Sequence, residues 1–180
     1  HPLAVGPHGE ALGWKGPEPF SPQQKMEIIH FLIDARTNKV GREKALAEVE
    51  KMLETNKYGQ DIRVNLMETI AALAFDARLW DKTNQYTQLL LSDKTASAAQ
   101  RGKAMLLQAR VRHEDGRNAA AAARAKEALT ELKRAVDAGQ GLPWETMNSI
   151  KWAGGLARSQ LLEYDTAIHF FEKMIEFTEG

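Results

Sequence analysis

Residues 154–177 read "GGLARSQLLEYDTAIHFFEKMIEF", and their spacing decides what kind of fold this chain builds. Two glycines and an alanine open the stretch, a polar break follows at Leu162–Asp165, and Tyr164, Ala167, Phe171 and Met174 then recur three or four residues apart. Apolar residues at that interval share one face of an α-helix, since each residue turns the chain by about 100°. Small residues placed opposite large ones across a short break describe two helices folded back on each other.

The same frame returns upstream. In the last unit it runs Gly155, Tyr164, Ala167, Phe171, Met174, and in the third Ala109, Gly116, Ala121, Ala125, Ala128. The second unit gives Ala71, Trp80, Thr83, Thr87, Leu90, and the first Ile33, Ala45, Val49, Met52. Ala45, Thr83, Ala121 and Ala167 lie 38, 38 and 46 residues apart. Breaks near Asn38–Gly41, Asn56–Gln60, Leu79–Asp81, Ser92–Thr95, Asp115–Asn118, Gly139–Pro143 and Leu162–Asp165 divide the chain into eight helices in four pairs. Two apolar stripes illustrate the period: Ile28, Ile29, Leu32 and Ile33, then Leu46, Val49, Met52 and Leu53. No segment alternates with period two, so no strand is expected.

End signals agree. Ser21, Pro22 and Gln24 have the order of a capping box with proline at the first helical position. Pro143 is expected to open the last pair in the same way, and Asp81, Asn118 and Asp165 are expected as N-caps of second helices. Residues 1–20, with four glycines and four of the six prolines, lack any helical period and read as an extended arm, a linker or a vector remnant.

On these residues the chain resembles the tetratricopeptide repeat family, helix–turn–helix units that stack side by side. The likeness is carried by Gly155, Ala157, Leu161, Tyr164, Ala167, Phe171 and the "EKMIEF" tail of the last unit. In the third it is carried by Ala109, Gly116, Ala121 and Ala128 within "QARVRHEDGRNAAAAARAKEAL". In the second unit Thr83 and Thr87 depart from the usual alanine and aromatic, and in the first Ile33 departs from the small residue. The resemblance implies an all-α, right-handed superhelix of about eight antiparallel helices over residues 21–180, with units near 21–57, 61–93, 97–138 and 143–179.

It also implies a function. Members of this family overwhelmingly bind peptides or partner proteins in a concave groove lined by the first helix of each unit. Carried over, the groove residues are Glu27, His30 and Asp34; Asn65, Glu68, Phe75 and Asp76; Lys103, Leu106, Arg110 and His113; and Trp152, Leu156 and Ser159. That lining is acidic in its first half, basic in the third unit and apolar in the fourth, with the Trp152 indole as the expected anchor. The Lys/Asn/Arg clamp by which some members grip a C-terminal carboxylate is broken here: Lys103 keeps one position, but the others read His30, Asp34 and Leu107. The expected role is therefore a non-catalytic interaction module for a peptide or protein. Two alternatives stand beside it: a self-associating scaffold docking through Phe170, Phe171 and Phe177, and an accessory domain of a larger enzyme.

Composition narrows the rest. Twenty-four basic and 24 acidic residues balance, which argues against a chain built to coat nucleic acid or an anionic membrane. Arg101, Lys103, Arg110, Arg112, Arg117 and Arg124 make the third unit locally basic, and spread around helix faces they read as solvated surface plus one groove wall. Without cysteine there are no disulfides, thiolate nucleophiles or cysteine zinc sites. His30, His113 and His169 fall on separate helices with no metal-binding spacing, and a copper site at His1 is discounted because the natural N-terminus is open. "AGGLA" at 153–157 has neither the preceding strand nor the Lys-Ser/Thr of a phosphate loop. No cofactor is expected, and no apolar run reaches the ~18–20 residues of a membrane span.

Overall fold

The computed structural model describes residues 19–179; His1, His8 and nearly all of the expected arm lie outside them. All regular structure among the described residues is helical: α1 (Pro22–Val40), α2 (Arg42–Thr55), a short 3-10 turn (Gln60–Ile62), α3 (Arg63–Asp76), α4 (Trp80–Ser92), α5 (Ala98–Glu114), α6 (Asn118–Asp137), α7 (Trp144–Ser159) and α8 (Tyr164–Glu179). The helices pair as α1–α2, α3–α4, α5–α6 and α7–α8, and the principal contacts join each helix to the next or the next but one. No helix among the described residues is long and apolar enough to cross a membrane.

The turns explain why the register repeats. In both α3–α4 and α5–α6 the connection is three residues long, 77–79 and 115–117. Each makes the same three backbone bonds: Ala77, Arg78 and Leu79 N–H donate to Leu73, Phe75 and Ala74, and Asp115, Gly116 and Arg117 to Val111, His113 and Arg112. The middle residue is left-handed in both, Arg78 at φ 59° and Gly116 at φ 77°. The last hairpin uses four connecting residues, 160–163. That extra residue moves the small side of the frame back by one, which corrects the expected Gly155. A Cβ on Gly155 would meet nothing, whereas one on Gly154 would lie 2.7 Å from the Phe171 ring.

Capping differs from expectation at several ends. Ser21 and Gln24 do form the capping box with Pro22 at the first turn, and Ser97 and Gln100 form a second one at α5. The latter was open to reading, since "SAAQ" at 97–100 has the same first and fourth residues as "SPQQ" at 21–24. Pro143 is the N-cap of α7 and not its first helical residue. Asp81, Asn118 and Asp165 are not N-caps either; each lies within the first turn of its helix. There the two aspartates still favour the positive end of the helix dipole. Asn118 has been drawn away by its neighbours: its Oδ1 accepts from His113 Nδ1 at 2.8 Å, and its Nδ2 donates to Gln160 Oε1 at 3.0 Å.

The core forms two clusters that meet on α5. One runs from Met26, Ile29 and Ile33 through Leu46, Val49, Ile62, Leu66 and Ile70 to Leu90 and Ala104. The other holds Leu106, Ala109, Ala125, Leu132, Ile150, Phe170 and Phe177. Ile28, expected in the first apolar stripe, points outward and is 50% exposed. Phe170 and Phe177, expected on a docking surface, are 0% and 7% exposed, and Phe171 packs its ring edge on Gly154. The three phenylalanines of α8 thus pack inward; its outer face carries Tyr164, Ile168 and Ile175 instead.

Candidate functional site

The first helices of the four hairpins share a face with two adjacent depressions. Pro22, Gln23, Met26, Glu27 and His30 of α1 face Asn65, Glu68 and Thr69 of α3 around a space of about 500 Å³. Beyond it, Ala72 of α3, Lys103, Leu106, Leu107 and Arg110 of α5, and Glu145, Thr146 and Ser149 of α7 enclose about 220 Å³. Every one of these residues belongs to α1, α3, α5 or α7, and none to a second helix. The sixth residue of each first helix lies on this face: Glu27, Glu68, Lys103 and Ser149.

The divide between the depressions is an ion pair. Lys103 Nζ stands 2.8 Å from Glu68 Oε2, close but not aligned for a hydrogen bond, so that carboxylate oxygen is buried with no hydrogen-bond partner. Beside it, Asn65 Oδ1 accepts from Gln100 Nε2 at 2.6 Å, which fixes the amide at the rim of the first depression.

At the other end three predicted residues come together. The Arg110 guanidinium lies over the Trp152 ring, 4.7 Å from its centroid, and the His113 ring meets the same indole edge-on at 5.6 Å. Trp152 is accordingly half-buried, not the free indole expected. Arg110 Nη2 donates to Ser149 Oγ at 3.5 Å, and among the described residues no carboxylate lies within ion-pair distance of it. Burial lowers its pKa, although guanidinium stays charged throughout the physiological range. A half-desolvated cation stacked on an indole holds its fork in one orientation, ready for a planar anionic group.

The remaining predicted residues scatter. Leu106 lines the second depression but is 2% exposed, and Leu156 at 5% is core. Phe75 tilts against Trp80 at 5.2 Å within its own hairpin. Asp34 and Ser159 are exposed and lie outside both depressions. Reading also missed Glu145, Thr146 and Ser149. The groove frame was carried to the C-terminal half of α7, but α7 begins at Trp144, so counting from that start places its N-terminal half beside Lys103 and Arg110. Comparison of the chain with protein-family models, curated proteins and solved structures gives no match.

Proposed function

We propose that this chain is a non-catalytic interaction module, a tetratricopeptide-like stack that binds an extended peptide or partner loop across the face of α1, α3, α5 and α7. One observation carries the reading: both depressions are lined by first helices alone, as a continuous inner wall requires. The contact pattern, in which the principal contacts of each helix are with near neighbours in the chain, supports a one-dimensional stack. The Glu27 carboxylate at one end and the Arg110 guanidinium at the other give the wall two signs of charge, which suits a ligand carrying a basic and an acidic segment.

The test is selection of binding peptides from a random library, followed by charge reversal at each end. Glu27→Lys and Arg110→Glu should each weaken a selected peptide at least about tenfold, since a charged contact contributes about 1.5–3 kcal/mol. Trp152→Ala should weaken it too by releasing Arg110, while Lys133→Glu on α6 should not. Selected peptides that bind all four variants like the wild type would refute the groove.

A second reading, self-association through the ends of the array, rests on the exposed Ile28 and Phe31 of α1 and on Ile168 and Ile175 of α8, each at least half exposed. Light scattering across a concentration series separates them. A groove binder keeps the monomer mass, and end-to-end docking raises it until Ile168→Glu reverses the effect.

A further inference from the structure

A third depression, about 450 Å³, opens on the opposite side of α5, between α4 and α6. Gln108 and Arg112 line it; they stand two residues from Leu106 and Arg110, about 200° around the helix. Three arginines expected to be dispersed over the surface converge there: Arg112, Arg117 and Arg124. The wall contributed by α4 consists of carboxamides, Asn84, Gln85 and Gln88.

The preceding seam shows what is missing. Helices α2, α4 and α6 begin at Arg42, Trp80 and Asn118, a register of 38 residues from one second helix to the next. Between α2 and α4, Glu50 closes the seam by accepting from Lys82 Nζ at 2.7 Å and from the Tyr86 hydroxyl at 2.8 Å. One register on, Gln88 replaces Glu50, Ala120 replaces Lys82 and Arg124 replaces Tyr86. Arg112 and Arg117 replace Ala74 and Leu79. At this seam an amide stands where the preceding one has a carboxylate, and guanidinium groups surround the position.

Neutralisation from within is incomplete. Glu127 Oε2 lies 2.7 Å from Arg124 Nη1 and Asp115 Oδ2 lies 3.4 Å from Arg117 Nη2, both carboxylates on the exposed rim. Arg112 has no carboxylate within ion-pair distance among the described residues, and its Nη1 donates only to the Ala120 carbonyl at 3.3 Å. Burial, followed by the charges of Arg124 and Arg117, lowers its pKa. Arg124 is held in place by its Nε bond to Gln108 Oε1 at 2.9 Å, and Gln108 in turn donates to Thr87 at 3.1 Å. Arg124 is therefore anchored through Gln108 to the buried Thr87 hydroxyl, Arg112 rests on a part-buried carbonyl, and Arg117 stands at the exposed edge.

We propose that this seam binds a phosphate group, lodged between Arg112, Arg117 and Arg124 and bordered by the Gln88 amide. A tetrahedral dianion offers three strong acceptor oxygens and close to two charges, which matches several guanidinium forks better than a carboxylate does. The site is independent of the inner wall, and either can fail without the other.

Titration calorimetry at constant ionic strength tests it, with inorganic phosphate, N-acetyl-phosphoserine amide and acetate as probes. Phosphate should bind at least about tenfold more tightly than acetate, and Arg112→Gln should lose at least about tenfold, the value of one charged hydrogen bond. Tighter binding of the phosphoserine derivative than of the free ion identifies the source as a phosphate carried on another molecule; the reverse identifies the free ion. Gln88→Glu, an exposed position, restores the carboxylate of the preceding seam and should abolish phosphate binding while raising the melting temperature. Lys133→Gln is the control and should change nothing. Phosphate binding no better than acetate, or unchanged in both Arg112→Gln and Gln88→Glu, overturns the proposal.

Discussion

Hairpins α3–α4 and α5–α6 share one turn and one register, yet they close their interfaces by different chemistry. Where α6 places Ala121 and Ala125, α4 places Thr83 and Thr87, and all four side chains are 0% exposed. The threonine hydroxyls are satisfied by the helix they belong to: Thr83 Oγ1 donates to Leu79 O at 3.0 Å and Thr87 Oγ1 to Thr83 O at 2.8 Å. Thr87 also accepts from Gln108 across the seam. The alanine hairpin needs no such bonds and admits closer packing, with Gly102 receiving Leu132 so tightly that a Cβ there would stand 2.5 Å from its Cδ2. Position in the frame thus specifies volume, and polarity is tolerated wherever a hydroxyl finds a carbonyl of its own helix.

The packing half of that contrast can be broken hardest at Leu132, which is fully buried. Leu132→Ala should cost about 2–5 kcal/mol in chemical denaturation. Gly102→Ala alone should destabilise too, because overpacking of about 1–3 kcal/mol outweighs the roughly 1 kcal/mol gained in helix propensity. In the Leu132→Ala background the sign should reverse, since the new methyl enters the space vacated. Additive costs in the double variant would show that the two residues do not share that space.

The polar half can be separated by pH. Tyr86 is 7% exposed, and burial, reinforced by its bond to the Glu50 carboxylate, pushes its pKa up to about 12 from 10. A folded-state pKa above the unfolded one means the contribution is complete below pH 10 and is lost as pH rises toward 12. Two units correspond to about 2–3 kcal/mol. Wild type should therefore lose that much more stability than Tyr86→Phe over this interval, and equal losses would show that Tyr86 does not titrate against the fold.

The interval of 38 residues, the eight helices and most breaks were legible in sequence because volume periodicity is local and repeated. The expected Glu68 and Lys103 do lie on the face shared by the first helices, whereas on α7 the frame fell on its C-terminal half and missed Glu145, Thr146 and Ser149, which line the second depression. The one-residue insertion before α8 hid Gly154 behind Gly155, since loop length cannot be read from residue type. Trp152 stood out by residue type, but its covering by Arg110 and His113 is tertiary contact that spacing does not reveal. The convergence of Arg112, Arg117 and Arg124 required the register of three helices at once.

The threonines give a finer discrimination between neighbours in one helix. Thr87→Ala leaves Gln108 Nε2 without its acceptor at a site 7% exposed, an unsatisfied donor of about 1–3 kcal/mol. Thr83→Ala removes a hydroxyl that bonds only its own turn, and the gain in helix propensity offsets part of the lost methyl contact, so the cost should stay below about 1 kcal/mol. Equal costs would mean that the Gln108 bond contributes nothing and that α4 tolerates threonine for its shape alone.

The smallest effect concerns the turn the two hairpins share. Gly116 and Arg78 occupy the same left-handed position, at φ 77° and 59°, but only the glycine avoids the Cβ penalty of about 1–2 kcal/mol. Arg78 is not repaid by its ion pair, which lies at 4.0 Å with the arginine largely exposed. A Trp80 ring 5.9 Å away adds about 0.5 kcal/mol at such a site. Gly116→Arg imposes the second hairpin's residue on the third; the left-handed penalty less about 0.4–1 kcal/mol of unfolded-state entropy predicts a net loss centred on about 0.8 kcal/mol and no larger than about 1.6 kcal/mol. Arg78→Gly should move stability the opposite way by no more than that. If Gly116→Arg proves neutral, the two turns are not equivalent in energy despite identical hydrogen bonds, and the shared register must be maintained by the helix interfaces alone.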